Sequence, residues 1–241
     1  MKIQKLASSK LFYNKWPYKI ECYISGASRL KWLGVETTKD FCLGKPTPTL
    51  WNWQSNDKLS LKDKTALLEF TTGMESFIEL KDQLQIRVEG RRYNIFCKDR
   101  VLLENIYNSV SPWVQRVSGP TTEEELNYML DNGHRKILRN VLPKDGYKYR
   151  VYLKESWPTE GRTEFAKWAA KFPDTINISQ SSLKWLETKQ RWLYNPFMYV
   201  KDEKTLTMVG LFTSGNVKRV EEFVLRSSIN TCLDQEQTCQ H

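Results

Sequence analysis

The chain has 241 residues, a formal net charge of +9 and a sequence pI near 9.2, with 40% hydrophobic and 12% aromatic residues. This aromatic content excludes a disordered chain, and the length holds one large domain or two of about 100 residues. No run approaches the roughly 18 apolar residues of a membrane span. The opening Met1-Lys2-Ile3-Gln4-Lys5-Leu6 lacks the apolar stretch of a secretory signal. Five cysteines, an odd number, stand at 22, 42, 97, 232 and 239, which argues for reduced thiols rather than a disulfide framework. The expectation is an intracellular protein, cytoplasmic or nuclear, with no membrane partner.

In chain order, Tyr18 to Ile24 alternates with period two and predicts a strand. Residues 35–75 read as partly helical, with Leu61 to Phe70 the clearest segment. Residues 77–89 predict a hairpin turning near Asp82-Gln83. A strand follows at 93–98, a helix at 100–110 and a strand at 114–118. Thr122-Glu123-Glu124-Glu125 is a capping box that opens a helix over 123–132, and Gly133 stops it. Residues 134–142 read as a further turn or helix. Then come a strand at 147–154, and a helix at 162–172 with Phe165, Trp168, Ala169 and Phe172 at helical spacing. A short strand, Thr175 to Ser179, precedes an irregular stretch carrying Trp185 and Trp192. The last elements are a strand at 197–201, a helix at 203–213 capped by Asp202 and ended by Ser214-Gly215-Asn216, and a strand at 217–225.

Two segments recur in the same order. Tyr18-Lys-Ile-Glu-Cys-Tyr-Ile24 matches Tyr147-Lys-Tyr-Arg-Val-Tyr-Leu153, and residues 95–117 align with 198–220 without a gap. Self-similarity of this kind marks a duplication. The cleaner second copy reads βαββαβ, the ferredoxin-like order. The expected fold is therefore α+β, a tandem duplication of ferredoxin-like units related to RNA-recognition modules, joined by a helical linker. The expected boundaries are 1–120 for the first unit with its enlarged middle, 121–146 for the linker, 147–226 for the second unit and 227–241 for a flexible tail. Charge follows this division: net +7 in 1–120, −1 in 121–146, +5 in 147–226 and −2 in 227–241.

In a βαββαβ unit the helices cover one face of the sheet and leave the other open. Strand parity places Lys19, Tyr23, Phe96, Lys98 and Arg116 on the open face of the first copy. In the second copy it places Lys148, Arg150, Tyr152, Tyr199, Lys201 and Arg219 there. Rings among cations suit single-stranded nucleic acid: cations neutralise phosphates, and rings stack unpaired bases. The arrangement resembles the sheets of RNA-recognition modules, although their aromatic-glycine motif is absent. The paired units resemble, in architecture, CRISPR RNA-processing endonucleases, whose C-terminal glycine-rich loop this chain lacks. The alternative is a structural or assembly protein of a virion or complex, in which the aromatic faces bury protein or a second copy of the chain.

Enzymatic signals are few. Glu79-Leu80-Lys81 has the acid-x-Lys spacing that metal-dependent nucleases carry on a strand, with Asp57 or Asp63 as a partner. His134, beside Arg135 and Lys136, could act as a base on RNA. Asp99 and Asp202 occupy the same repeat position, where each reads as a helix cap. Cys232, Cys239 and His241 lack the ordered spacing of a metal site. There is no phosphate-binding glycine loop and no serine-hydrolase motif. The chain thus reads as a binding protein without a cofactor.

Overall fold

Period-two alternation builds the centre of each half of the molecule. In the computed structural model, which describes residues 4–48, 59–133, 135–188 and 193–229, the chain is mixed α+β with two five-stranded mixed sheets. It divides into two units, Met1–Leu126 and Asn127–His241.

The first unit runs β1 (Gln4–Ala7), β2 (Tyr18–Tyr23), α1 (Ala27–Cys42), α2 (Leu61–Ile78), β3 (Leu84–Glu89), β4 (Arg92–Cys97), α3 (Arg100–Val110) and β5 (Val114–Gly119). Helix α4 (Glu123–Asn132) follows. The second unit holds β6 (Lys136–Arg139), β7 (Tyr149–Leu153), α5 (Thr159–Ala169), β8 (Ile176–Ile178), α6 (Gln180–Glu187), β9 (Phe197–Val200), α7 (Glu203–Thr213) and β10 (Val217–Leu225). The sheet orders are β1-β5-β2-β4-β3 and β6-β10-β7-β9-β8. In each, the first two strands are parallel and every other pair is antiparallel.

The two sheets also share their register, as a duplicated α/β unit would. Tyr18 faces Cys97 and Tyr149 faces Val200; Ile20 faces Val117 and Val151 faces Val220. Both central pairs skip one residue at the same place, Gln115 in β5 and Lys218 in β10. These bulges return Val114 and Val217 to the helix-covered side. The ungapped match of 95–117 with 198–220 keeps this register. The match of Tyr18 with Tyr147 does not: the counterpart of Tyr18 is Tyr149, two residues on. A shift of two leaves every residue on its expected face.

On the helix-covered side, Ile20, Cys22, Phe70, Ile95 and Ile106 are fully buried in the first unit; Val151, Phe165, Trp185, Met198 and Val209 are in the second. Cys22, Cys42 and Cys97 are free thiols, and burial pushes Cys22 and Cys97 up to about 12. Asp99 and Asp202 cap α3 and α7, accepting from Leu102 N at 2.7 Å and Thr205 N at 2.8 Å. Tyr18 lies so close to Gly119 that a Cβ there would sit 2.6 Å from its ring. No helix among the described residues is long and apolar enough to cross a membrane.

The structure differs from the sequence expectations in five places. Residues 77–89 are not a hairpin: α2 runs to Ile78, and the reversal lies between β3 and β4 at Gly90, whose φ of 60° suits a tight hairpin turn. Residues 136–139, expected to be helical or a turn, form β6. The stretch around Trp185 is helix α6, started by Ser179, whose side chain accepts from Ser182 N at 3.3 Å. Strand β1 was not anticipated. Trp32, whose apolar, helix-compatible surroundings in the sequence predict a packed ring, is 63% exposed. Trp51, Trp53, Asp57, His134, Trp192, Cys232, Cys239 and His241 lie outside the described residues.

The Asp202 cap supplies a test. Its hydrogen bond from Thr205 N holds the carboxyl below its ordinary value, so its stabilising contribution is complete above the unfolded pKa of about 4 and fades as pH falls. Asp202→Ala should cost about 1 kcal/mol at neutral pH. Urea titrations of parent and variant should converge as pH is lowered through the carboxylate range.

Candidate functional site

The outer side of each sheet carries most of the residues that strand parity selected; Lys98 and Lys201 lie just past the ends of β4 and β9. In the first unit, β2 presents Lys19 and Glu21, β4 presents Asn94 and Phe96, and β5 presents Arg116. Glu21 is 8% exposed. Its carboxylate lies 3.0 Å from Lys19 Nζ and 3.9 Å from an Arg116 nitrogen. Burial alone would raise the pKa of Glu21, but the hydrogen bond and charge of Lys19, with Arg116 beyond, hold it below its ordinary value. Arg116 also donates to Gln4 Oε1 on β1, at 3.3 Å from Nε and 3.2 Å from a terminal nitrogen.

This face is covered by its own chain. Residues 8–17 turn back across it in a small reversal, with Phe12 and Trp16 exchanging backbone hydrogen bonds of 2.7 and 2.9 Å. The rings of Phe12 and Tyr13 lie 5.6 and 5.0 Å from that of Phe96. Trp16 Nε1 donates to Gln85 Oε1 at 2.8 Å, and Arg87 donates to the Tyr13 hydroxyl at 2.6 Å. Phe96 is consequently 4% exposed and offers no free ring face. Tyr23, at the end of β2, is exposed. Lys98 stands one residue past β4 and lines a cavity of about 740 Å³ bounded by α3, β1, β5 and the 120–126 segment, together with Lys5, Tyr18 and Arg100.

The second unit has the same skeleton with different side chains. Arg150 occupies the register position of Lys19, Tyr152 that of Glu21, Tyr199 that of Phe96 and Arg219 that of Arg116. The buried carboxylate has moved strands: Glu221 of β10, 2% exposed, replaces Ser118. Arg150 donates to Glu221 through Nε at 2.8 Å and through a terminal nitrogen. Burial opposes the Arg150 charge, and Glu221 outweighs it, leaving the Arg150 pKa raised. Around this pair, ring centroids lie 5.9 Å apart for Tyr152 and Phe197, 5.5 Å for Phe197 and Tyr199, and 6.1 Å for Tyr199 and Phe223. The guanidinium of Arg219 lies 3.8 Å above the centre of the Tyr152 ring, and that of Arg139 5.7 Å from the centre of Phe223.

Tyr152 is 8% exposed, sealed beneath Arg219, whereas Phe197 and Tyr199 are half-buried. From the connection that corresponds to residues 8–17, the ring of Tyr147 lies 6.5 Å from that of Tyr199. Lys148 and Lys201 are exposed, and among the described residues neither makes an ion pair. Parity therefore located Lys148, Arg150, Tyr152, Tyr199 and Arg219 on one face. The same alternation puts Phe197 with Tyr199 and Phe223 with Arg219, and their rings do meet here; it missed Glu221 and Arg139 as partners. Glu221 and Phe223 share the parity of Arg219, so the signal was present on β10.

The nuclease signal is not assembled. Glu79 ends α2 and Lys81 lies in the following turn, both exposed, so they share no strand face. Asp63 bonds the Ser60 hydroxyl in the first turn of α2. Among the described residues no group of His, Cys, Asp and Glu could hold a metal ion. Comparison with protein-family models, with curated proteins and with solved structures finds no match.

The two carboxylates should differ in energetic weight. Glu221→Gln leaves a half-buried arginine without its counter-charge and should destabilise by about 3 kcal/mol. Glu21→Gln, whose carboxylate is less deeply buried and meets one ammonium rather than a two-nitrogen guanidinium contact, should cost about 1 kcal/mol. Urea unfolding midpoints of the two variants compare them directly.

Proposed function

We propose that the chain binds single-stranded nucleic acid, RNA or DNA, and that the outer face of the second sheet is the binding surface. In this reading each half is a ferredoxin-like unit, β2–β5 and β7–β10, extended by one parallel edge strand, and the two arose by duplication. The orders β5-β2-β4-β3 and β10-β7-β9-β8, antiparallel throughout, support it.

One observation carries the functional reading: half-exposed Phe197 and Tyr199 share a face with Arg150, Arg219 and the exposed Lys148, while the equivalent first face is closed by residues 8–17. A ring that keeps an accessible face can stack a base for about 1–3 kcal/mol. Exposed lysines around it neutralise phosphates and release counterions. The opposing reading is a protein interface, in which an aromatic segment from another chain covers the second face as residues 8–17 cover the first. Its support is that covered face itself.

Fluorescence anisotropy with labelled single-stranded 12-mers separates the two. Binding at about 50 mM salt should weaken steeply by about 200 mM, with a log–log slope of about −3 if four phosphates are neutralised. Tyr199→Ala should weaken binding by about tenfold, and Phe96→Leu should leave it within about twofold, because a covered ring stacks no base. No binding at low salt, with a concentration-dependent mass in light scattering, would replace this reading with the protein interface.

A further inference from the structure

Arg219 is held in a way that its counterpart is not. In the first unit, Arg116 spends Nε and a terminal nitrogen on Gln4 Oε1 and lies 3.9 Å from Glu21. In the second, the position of Glu21 is taken by Tyr152, and Arg219 lies on that ring with its Cζ 3.8 Å from the centroid. Its Nε is buried and turned toward Glu221 Oε1, 3.6 Å away, without a hydrogen bond. The side chain keeps 39% of its surface exposed, and its terminal amino groups make no hydrogen bond among the described residues. A ring below and a buried carboxylate to one side thus hold a planar donor fork, four terminal N–H groups included, whose capacity the protein leaves unused.

We propose that Arg219 is a fork that receives two coplanar acceptors of a bound strand. The inference rests on the nucleic-acid reading above and adds a contact geometry to it. A guanidinium differs from an ammonium in offering parallel N–H groups, which match two oxygens of a phosphodiester or the O6 and N7 edge of guanine. Stacking on Tyr152 fixes the plane of the fork, so little freedom is lost when acceptors arrive. Exposed Lys148 and Lys201 supply charge without such a plane. The ligand chemistry is therefore a flat pair of acceptors on a single strand.

The test compares the parent, Arg219→Lys, Tyr152→Leu and Arg116→Lys in anisotropy titrations against three labelled 12-mers: all-uridine, all-adenosine, and uridine with one central guanosine. Arg219→Lys keeps the charge and removes the fork, and should bind about tenfold more weakly. A loss equal on all three strands assigns the fork to phosphate; a loss confined to the guanosine strand assigns it to that base. Tyr152→Leu, which keeps Arg219 but removes its backing, should weaken the same strands by several-fold. Arg116→Lys should bind like the parent. Unfolding midpoints measured alongside identify any variant that has lost its fold, and the intact ones then decide. If the parent binds and Arg219→Lys matches it on every strand, or if Arg116→Lys loses as much as Arg219→Lys, the fork is wrong while nucleic-acid binding stands. If the parent binds none of the strands, both readings fall together.

Discussion

One skipped residue in the central strand pair of each sheet governs what the rest of the molecule can do. Side chains on a strand alternate sides, so a single-residue slip would exchange the helix-covered and outer sets. Gln115 and Lys218 absorb that slip. Beyond them Val114 and Val217 return to the core while Arg116 and Arg219 remain outside. Removing either bulge would drive an arginine toward the core or a valine out of it, and a buried unpaired charge is far costlier than an exposed valine. The bulges therefore separate the apolar and charged halves of the sequence in both units.

With the faces separated, each sheet meets the same problem: two cations at fixed positions on adjacent strands. Both units answer it with one buried carboxylate between them. The first places it on β2, as Glu21 between Lys19 and Arg116; the second places it on β10, as Glu221 between Arg150 and Arg219. Moving the carboxylate across the strand pair frees the position beside Arg219 for Tyr152. The exchange preserves local charge balance and alters presentation. Arg116 is consumed by side-chain oxygens, whereas Arg219 is flattened against a ring.

Much of the fold was legible because its central elements obey local rules. Helices α3, α4 and α7 and strand β10 follow from a cap followed by helical spacing, or from plain alternation, and they lie where the sequence places them. The missed elements lack those signals for physical reasons. All four residues of β1 are exposed, so it carries no apolar parity. In β6, Ile137 and Leu138 are both 1% exposed, so adjacent apolar residues hide the alternation. Helix α1 is interrupted at Gly34 and carries two threonines just beyond it. Helix α6 opens on Ser179 without a glutamate three residues on to complete a capping box. The site was legible in part: parity identifies a face, but nothing in a strand reveals that residues 8–17 close one face and not the other.

That closure changes what the net charge means. The formal balance favours the first unit, yet three of the cations on its outer face are already engaged. Lys19 and Arg116 are engaged by Glu21 and Gln4, and Arg87 by the Tyr13 hydroxyl and Glu89. In the second unit Lys148 and Lys201 are exposed and make no ion pair among the described residues, and Arg219 has exposed surface. Electrostatic attraction of a polyanion depends on the charge that solvent and neighbours leave unscreened, not on a count of basic residues. The proposed asymmetry follows: the second unit keeps cations beside rings that remain half-exposed, although its excess of cations is the smaller. Two copies of one skeleton can thus divide their work, one face spent on internal packing and the other kept for a partner, through the exchange of a glutamate and a tyrosine and the path of ten residues.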